Sequence, residues 1–247
     1  MATLRRAARN GLNALIGFSG FQLVRPGEMP HIISYQPFRR TLREARKAGL
    51  AVGDYLDQKF HVPGATQGTI DRMVQLGILS PRVRTVCEIG PGSGRYLEKV
   101  ARVCTPSTYE IYEPDREWCE WLRRSYRVVA RQADGTTLGE TPTGSVDLAH
   151  AHKVLVYLPF VVTCHYFEEM IRVARKGGWI VFDIVSEACM PEAILEKWIA
   201  SGVYYPCIMP RDYVIALFAR RKCSLRTSFF APMMPGQSEY LVFVKDE

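Results

Sequence analysis

Residues 83–95 constrain the fold of this chain more than any other segment. The apolar run VRTVCEI (83–89) carries β-branched residues, and the glycine loop GPGSG (90–94) and a segment of helical character (95–102) follow it. A strand, a tight turn and a helix in this order form the nucleotide-binding corner of a doubly wound α/β sheet. Glycines let the backbone bend and let a ligand approach its amides, and a helix N-terminus favours an anionic group. We therefore predict a ligand site at this corner.

The spacing of the glycines excludes two common nucleotide-binding loops. A dinucleotide-binding loop has the pattern G-x-G-x-x-G/A, and its third small position would be Arg95 here. A P-loop is excluded because no Gly-Lys-Ser/Thr follows. The remaining pattern is E-x-G-x-G-x-G, which runs from Glu88 to Gly94.

Four further strand-like segments follow in order. The segments YEIYEPD (109–115) and VVARQADG (128–135) each run from an apolar strand into an acid, and SVDLAHAH (145–152) is a fourth strand. A helix, a Gly-Gly turn and a fifth strand are predicted over MIRVARKGGWIVF (170–182). Glu113 lies 23 residues beyond Gly90, near the roughly 20-residue offset at which an acid reaches ribose hydroxyls.

Together these motifs resemble class I S-adenosylmethionine-dependent methyltransferases over roughly residues 83–185. The segment RVARKGG resembles the family's R-x-L-K-P-G-G, although the proline is absent. The resemblance implies an α/β fold, with a doubly wound, Rossmann-like seven-stranded sheet. The last two strands, near 224–230 and 240–245 with a turn at Pro235, resemble the family's antiparallel hairpin, which dehydrogenases lack.

The resemblance also implies S-adenosyl-L-methionine as the cofactor. It places three glycines and Glu88 at the methionine end, an acid on the ribose, and the Asp-Gly pair of the third strand at the adenine. The implied cofactor-binding residues are Glu88, Gly90, Gly92, Gly94, Glu113, Asp134 and Gly135.

We predict two parts of the chain. Residues 1–80 form a basic N-terminal arm and a helical cap, with helices near 42–50 and 69–77, and residues 81–247 form the methyltransferase core. A substrate-side insertion is predicted at 186–210, over the carboxyl ends of the strands, where ligands bind in such sheets.

The charge is concentrated in the arm. Residues 1–50 hold nine Lys/Arg and two Glu, a net of +7, which equals the net charge of the whole chain. We favour a solvated helical arm packed on the domain, and the alternative is peripheral contact of residues 1–25 with an anionic membrane. The apolar stretch is too short to span a bilayer, and the neutral remainder disfavours nucleic acid.

Seven scattered cysteines without a C-x-x-C pair indicate a reducing compartment and argue against a zinc site. We therefore predict a cytoplasmic location, with the inner face of the membrane as the alternative.

The fourth strand carries the candidate catalytic residues. Methylation of a hydroxyl is helped by a base, and histidine is the usual one because it titrates at about 6 to 7. His150 and His152 share one strand face, so we predict His152 as the base, His150 as its support, and Tyr157 as a further side chain of the pocket. The alternative is a divalent metal on the two histidines and Asp183. We predict no metal, since Asp147 lies too early in the strand to complete a carboxylate cluster.

The acceptor is predicted to be a hydroxyl. No N/D-P-P-Y/F motif follows the fourth strand, which disfavours methylation of nucleobase or glutamine amino groups. The pattern over residues 12–25 resembles bacterial enzymes of glycan and glycolipid assembly, so a sugar of a glycolipid or polysaccharide is preferred. A small-molecule or polyketide hydroxyl is the alternative within the class. The alternatives from other functional classes are a non-catalytic methyltransferase-like binding module and a nucleotide-sugar-binding oxidoreductase.

Overall fold

The computed structural model of the protein describes residues 36–60, 62–201 and 206–247. Pro37–Glu247 form one compact unit, so the helices predicted before residue 80 lie in the same unit as the sheet. The predicted basic arm and its lipid contact lie outside the described residues. Within the described part of the chain, no helix is long and apolar enough to cross a membrane.

Seven strands form one mixed sheet in the order β3-β2-β1-β4-β5-β7-β6. The strands β1 to β5 are parallel, whereas β7 is antiparallel to both β5 and β6. This confirms the predicted fold, including the final hairpin. The strands are β1 Thr85–Ile89, β2 Thr108–Tyr112, β3 Val129–Ala130, β4 Val146–Ala151, β5 Ala174–Ile184, β6 Cys223–Met233 and β7 Gly236–Lys245.

Helices precede the sheet and connect its strands. They are α1 Phe38–Ala48, α2 Val52–Phe60, α3 Ala65–Gln75, α4 Arg95–Cys104, α5 Arg116–Ser125, α6 Phe160–Val173, α7 Glu192–Ser201 and α8 Arg211–Arg220. Short 3-10 turns occur at Leu155–Tyr157 and Glu187–Cys189. The helix α2 was not predicted from the sequence.

The sheet is buried on both faces, as expected for parallel strands. One face packs Cys87 and Phe182 with residues of α6 and α8 such as Phe167 and Phe218. The other face packs Val86 and neighbouring apolar residues with α3 and α4. Because alternate residues of a strand share a face, Glu88 and His150 follow Val86 and Leu148 on this second face, and Glu88 is the register partner of His150.

The predicted Gly-Gly turn lies inside the irregular start of β5 rather than before it. The helix α6 ends at Val173 and β5 begins at Ala174, with a register shift against β4 between Val146 and Leu148. A Cβ at Gly178 would lie 2.8 Å from the carbonyl oxygen of Arg175 and 3.0 Å from that of Val146. A glycine is therefore needed where the strand bulges.

Both ends of the segment predicted as an insertion lie beside the carboxyl end of β5. Val185 forms an isolated parallel bridge with Ile208, and the backbone N–H of Cys207 donates to the carbonyl of Val156 at 2.8 Å. The helix α7 lies between these anchors in the chain, so the segment borders the edge of the sheet at which parallel sheets bind ligands.

Candidate active site

The three glycines of the loop after β1 serve different purposes. All have positive φ, at 61° for Gly90, 53° for Gly92 and 71° for Gly94, a conformation that favours glycine. A Cβ would lie 2.7 Å from Val154 Cγ2 at Gly90 and 2.7 Å from Leu122 Cδ2 at Gly94, whereas at Gly92 no atom of the described residues lies within 4 Å. Gly90 and Gly94 are thus required by packing, and Gly92 faces open space that a ligand can enter.

Glu113 follows β2 and is joined to this loop. Its carboxylate accepts the backbone N–H of Gly92 at 2.7 Å and that of Asp115 at 2.9 Å. Burial raises the pKa of Glu113 to about 7, even though both hydrogen bonds oppose the rise. A carboxyl held at the rim of a glycine loop suits a pair of ribose hydroxyls.

Asp134 lies beyond β3 in a turn that it stabilises itself. Its Oδ1 accepts the backbone N–H groups of Thr136 at 2.8 Å and Thr137 at 2.7 Å. Burial alone would raise the pKa of Asp134, but hydrogen bonds from both threonines outweigh it and the pKa is lowered. Gly135 has a φ of 91°, and within the described part of the chain no atom lies within 4 Å of its Cβ position. The turn therefore presents an ionised carboxylate beside an open backbone, which suits an amino group such as that of adenine.

Glu88 is buried inside the sheet layer, with 1% of its surface exposed. The Tyr109 hydroxyl donates to its Oε2 at 2.7 Å. Burial raises the pKa of Glu88 to about 8, against the effect of that hydrogen bond. Such a carboxyl retains its proton near neutral pH and ionises when a cation approaches.

His150 is fully buried on β4. Its Nε2 lies 3.1 Å from the Tyr109 hydroxyl, and its Nδ1 is buried without a hydrogen-bond partner among the described residues. Burial, assisted by His152, holds the pKa of His150 well below its usual value. The imidazole is therefore neutral.

His152 is the first residue after β4 and is 5% exposed. Its ring stacks on Tyr96 with centroids 4.2 Å apart, and its Nδ1 lies 3.1 Å from the Tyr240 hydroxyl. Its Nε2 is buried and has no partner among the described residues. The His152 ring is thus fixed by Tyr96 and Tyr240 at the carboxyl end of β4, and its Nε2 is available to a ligand.

The expectation that His152 titrates at about 6 to 7 is wrong for this environment. Burial lowers the pKa of His152 to about 3, and the nearby charges of Lys153 and Arg95 add to the effect. The cause is tertiary packing, which a strand pattern does not reveal.

Asp183, considered as a third metal ligand, is fully buried and already has partners. Its Oδ1 accepts the backbone N–H of Lys153 at 2.8 Å, and its Oδ2 lies 3.1 Å from Lys153 Nζ and accepts from Ser238 at 2.7 Å. Across residues 36–60, 62–201 and 206–247, no group of three or more His, Cys, Asp or Glu side chains could hold a metal ion. Asp183 instead holds Lys153, whose φ is 56°.

Tyr157 ends the 3-10 turn after β4 and is half-buried. It packs against an apolar cluster of Val156, Val185, Cys189 and Met233. The structure thus places it between the β4 end and the start of the insertion, on the same edge of the sheet as His152.

A buried ion pair connects the cap helices to this site. Arg95 Nη1 lies 2.9 Å from Asp57 Oδ1 of α2, and their side chains are only 11% and 9% exposed. Thr66 of α3 donates to the same carboxylate at 2.7 Å. The Arg95 guanidinium lies 5.1 Å from the centre of the Tyr96 ring, the ring that stacks on His152.

These supporting side chains were not predicted from the sequence. Tyr96, Tyr109 and Tyr240 come from α4, β2 and β7, and they meet the two histidines only through the fold. The one available signal was alternation, which places Tyr109 on the same face of β2 as Ile111.

Comparison with known proteins agrees with this geometry. Residues 87–182 match the family model described as a methyltransferase domain. Among curated proteins none matches the sequence.

Solved structures share the fold at low sequence identity. Magnesium protoporphyrin IX methyltransferase from Synechocystis PCC 6803, solved with bound SAH, has a TM-score of 0.60 and 12% identity, covering 98% of this chain and 99% of its own. An S-adenosylmethionine-dependent methyltransferase from Mesorhizobium loti has a TM-score of 0.56 and 16% identity, covering 73% and 97%. An O-methyltransferase family protein from Burkholderia thailandensis has a TM-score of 0.57 and 14% identity, covering 87% and 64%.

The sheet order, the open glycine loop and the acids that follow β2 and β3 agree with the matched domain. The chain contains a methyltransferase domain over residues 87–182 within the fold of class I methyltransferases, and S-adenosylmethionine is its cofactor.

Proposed function

We propose that the protein transfers the methyl group to a hydroxyl, and that this hydroxyl belongs to a sugar of a glycolipid or polysaccharide. The observation that carries the proposal is His152, a neutral imidazole whose Nε2 is uncommitted at the carboxyl end of β4. A neutral imidazole nitrogen accepts a hydrogen bond from a hydroxyl and can take its proton.

The residues around the loop fit the cofactor. Gly90, Gly92 and Gly94 would enclose the methionine end with Glu88 near its amino group, while Glu113 would hold the ribose and Asp134 with Gly135 the adenine. Gly92 and Gly135 leave space for such a ligand. Bound S-adenosylmethionine supplies an electrophilic methyl group on a sulfonium ion, whose positive charge is lost as the methyl leaves.

The low pKa of His152 is compatible with a base of this kind. In the ground state Nε2 would accept the hydrogen bond and orient the hydroxyl oxygen, which is the main requirement of an in-line displacement. The proton would reach Nε2 as the positive charge of the methyl donor disappears, so the total charge of the pocket would not rise. Tyr240 and Tyr96 hold the ring for this step.

The edge of the sheet supports an acceptor with an apolar part. Six large apolar side chains near the carboxyl ends of the strands are exposed, namely Phe160, Val161, Leu195, Ile199, Ile208 and Met234. They follow β4, lie in the segment after β5, or form the β6–β7 turn. Exposed apolar groups collected on one rim indicate an apolar partner, and the acyl chains of a glycolipid would satisfy this.

Incubation with radiolabelled S-adenosylmethionine tests the proposal. The protein and a His152→Ala control would be offered a lipid extract, a polysaccharide fraction and a set of small phenolic and polyketide alcohols. We expect label in a glycolipid or polysaccharide, retained by the sugar after acid hydrolysis and resistant to mild base. Label only in the small alcohols would favour the alternative hydroxyl, and label on nitrogen or in a base-labile ester would contradict O-methylation.

The cytoplasmic location belongs to the same proposal, with an arm that packs on the domain, and contact of residues 1–25 with the inner face of the membrane is the alternative. The net charge of +7 over residues 1–50 supports an anionic lipid surface. Binding to anionic vesicles should weaken steeply with salt and should be lost when residues 1–25 are deleted. Unchanged vesicle binding after the deletion would rule out lipid contact by residues 1–25 and would favour an arm that packs on the domain.

A further inference from the structure

The geometry points to Tyr109 as a positioning residue that couples the carboxyl of Glu88 to the tautomer of His150. The inference rests on the proposed function, in which Glu88 serves the cofactor and the histidines serve the acceptor. Neither the sequence motifs nor the comparisons assign a role to Tyr109.

Tyr109 spans the central strand of the site. The strand β1 lies between β2 and β4, and the Tyr109 hydroxyl contacts Glu88 Oε2 at 2.7 Å and His150 Nε2 at 3.1 Å. The Tyr109 and His150 rings meet edge to face, with centroids 6.1 Å apart. All three side chains are buried, so solvent does not compete for these hydrogen bonds.

A phenol has one proton and therefore donates to only one of its two neighbours. When Glu88 is a carboxylate, Tyr109 donates to it, and the phenol oxygen accepts a proton held on His150 Nε2. The Nδ1 of His150 then carries the lone pair. When Glu88 is protonated, the carboxyl donates to Tyr109, Tyr109 donates to Nε2, and the proton of His150 lies on Nδ1.

The hydrogen-bonded series from Glu88 through Tyr109 ends at Nδ1 of His150. That nitrogen is buried and has no hydrogen-bond partner among the described residues, and the His150 and His152 ring centroids lie 4.8 Å apart. The protonation state of Glu88 thus determines whether Nδ1 of His150 presents a lone pair or an N–H to the methyl-acceptor substrate. A cation beside Glu88, such as the amino group of the cofactor, would favour the carboxylate form of Glu88. It would therefore favour the His150 tautomer with its lone pair on Nδ1.

Other titratable groups surround the hydrogen-bonded series Glu88–Tyr109–His150, but most of them form ion pairs or hydrogen bonds elsewhere. Arg95 pairs with Asp57, Lys153 with Asp183, and the Tyr240 hydroxyl lies beside His152. Those facing this region from the packed elements are Cys87, Arg95, Tyr96, Cys104, Glu113, His152, Lys153, Asp183 and Tyr240. Glu88 is the carboxyl in direct hydrogen-bond contact with Tyr109.

Nuclear magnetic resonance of the ¹⁵N-histidine-labelled protein tests the coupling, because nitrogen shifts distinguish the two neutral tautomers. His150 signals are assigned by their loss in His150→Gln. In the wild type we expect the Nδ1–H form at low pH and the Nε2–H form at high pH, with a transition that coincides with Glu88 ionisation, followed by its ¹³C carboxyl shift. This measurement needs no folded variant of Tyr109, and a tautomer that stays constant while Glu88 ionises would overturn the inference.

The matched variants are Tyr109→Phe and Tyr112→Phe. Tyr112 lies on the same strand, is equally buried and bonds Thr141 on the other face of the sheet. We expect Tyr109→Phe to abolish the pH-dependent change of tautomer and to lower kcat about tenfold, the scale of one hydrogen bond. Tyr112→Phe should retain the tautomer change and kcat. A Tyr109→Phe protein with the wild-type tautomer response would overturn the coupling.

The two readouts separate this inference from the proposed function. A tautomer that depends on Tyr109 in a protein that methylates nitrogen would retain the coupling and refute O-methylation. A tautomer independent of Tyr109 in a protein that methylates a sugar hydroxyl would do the reverse.

Discussion

Gly92 donates its backbone N–H to the carboxylate of Glu113 at 2.7 Å, so the loop after β1 and the acid after β2 form one unit. The bond crosses from the carboxyl end of β1 to that of β2, next to the switch point between β1 and β4 at which open α/β sheets bind ligands. Because Gly92 also faces open space, the cofactor would lie against the loop after β1 and Glu113.

Gly92→Ala should weaken cofactor binding more than it destabilises the fold. The new Cβ meets no atom of residues 36–60, 62–201 or 206–247 within 4 Å but would enter the space of the ligand, and the φ of 53° costs about 1–2 kcal/mol. Gly144→Ala is the matched control, with a φ of 64° and the same empty surroundings away from the loop. Calorimetric titration and thermal unfolding of both variants separate the two effects. Equal affinity in the two variants would place the ligand elsewhere.

Gly90→Ala should instead affect the fold. Its Cβ would lie 2.7 Å from Cγ2 and 3.2 Å from Cγ1 of Val154, and overpacking of this kind costs about 1–3 kcal/mol in addition to the backbone strain. A lower unfolding midpoint than that of Gly92→Ala in urea is the expected result. A Gly90→Ala protein as stable as Gly92→Ala would show that Val154 moves aside without cost.

His152→Ala should lower kcat by about 10²–10⁴-fold, the usual effect of losing a general base, while the affinity for S-adenosylmethionine stays nearly unchanged. His152→Gln should not restore the rate, because an amide does not accept the proton. His165→Ala is the control, since His165 is an exposed histidine of α6. Retention of most activity by His152→Ala would move the base to His150 or Tyr157, or leave positioning as the main contribution.

The pH dependence of kcat should lack the step of an ordinary histidine. The pKa of His152 is lowered to about 3, so its imidazole is already neutral at pH 5 and does not gain basic form between pH 6 and 7. Rates at saturating cofactor and acceptor, measured across this range, check the expectation. A step near 6.5 that disappears in His152→Ala would show that the bound acceptor restores an ordinary titration.

The buried carboxyl of Glu88 should make stability fall as pH rises. Its pKa is raised from 4.5 to about 8, so between these values the native state binds more protons than the unfolded state. The contribution is fully present below pH 4.5 and is lost as pH rises through about 8. Relative to Glu88→Gln, the unfolding free energy of the wild type should therefore fall by a few kcal/mol, on the order of 1.4 per pKa unit. A pH-independent difference in urea denaturation would contradict the raised pKa.

The sheet and the loop could be predicted from the sequence because their signals are local. The glycine spacing, the acids at strand ends and the apolar runs occur within short windows, and the structure confirms the strand order and the final hairpin. The helix α2 escaped prediction because its short sequence, VGDYLDQKF, carries a weak pattern and is held by tertiary contacts such as Asp57 with Arg95.

The state of the site could not be predicted, since it depends on contacts between distant residues. The histidine pair was found from its spacing on one strand. Its neutral, partly unsatisfied character comes from Tyr96, Tyr109 and Tyr240, which lie 41 or more residues from the histidine that each of them contacts. The pKa values of Glu88 and His152 likewise follow from burial by elements that no local pattern brings together.

Isothermal titration of S-adenosylmethionine into the wild type, Glu113→Ala and Glu117→Ala measures directly whether the acid after β2 binds the cofactor. Glu117 is an exposed acid a few residues away on α5, so its loss should leave the affinity unchanged. We expect the wild type to bind S-adenosylmethionine and Glu113→Ala to bind it about 1–3 kcal/mol more weakly, the scale of lost charged hydrogen bonds. A wild-type protein that binds NAD tightly and S-adenosylmethionine not at all, or a Glu113→Ala variant with undiminished affinity, would contradict it.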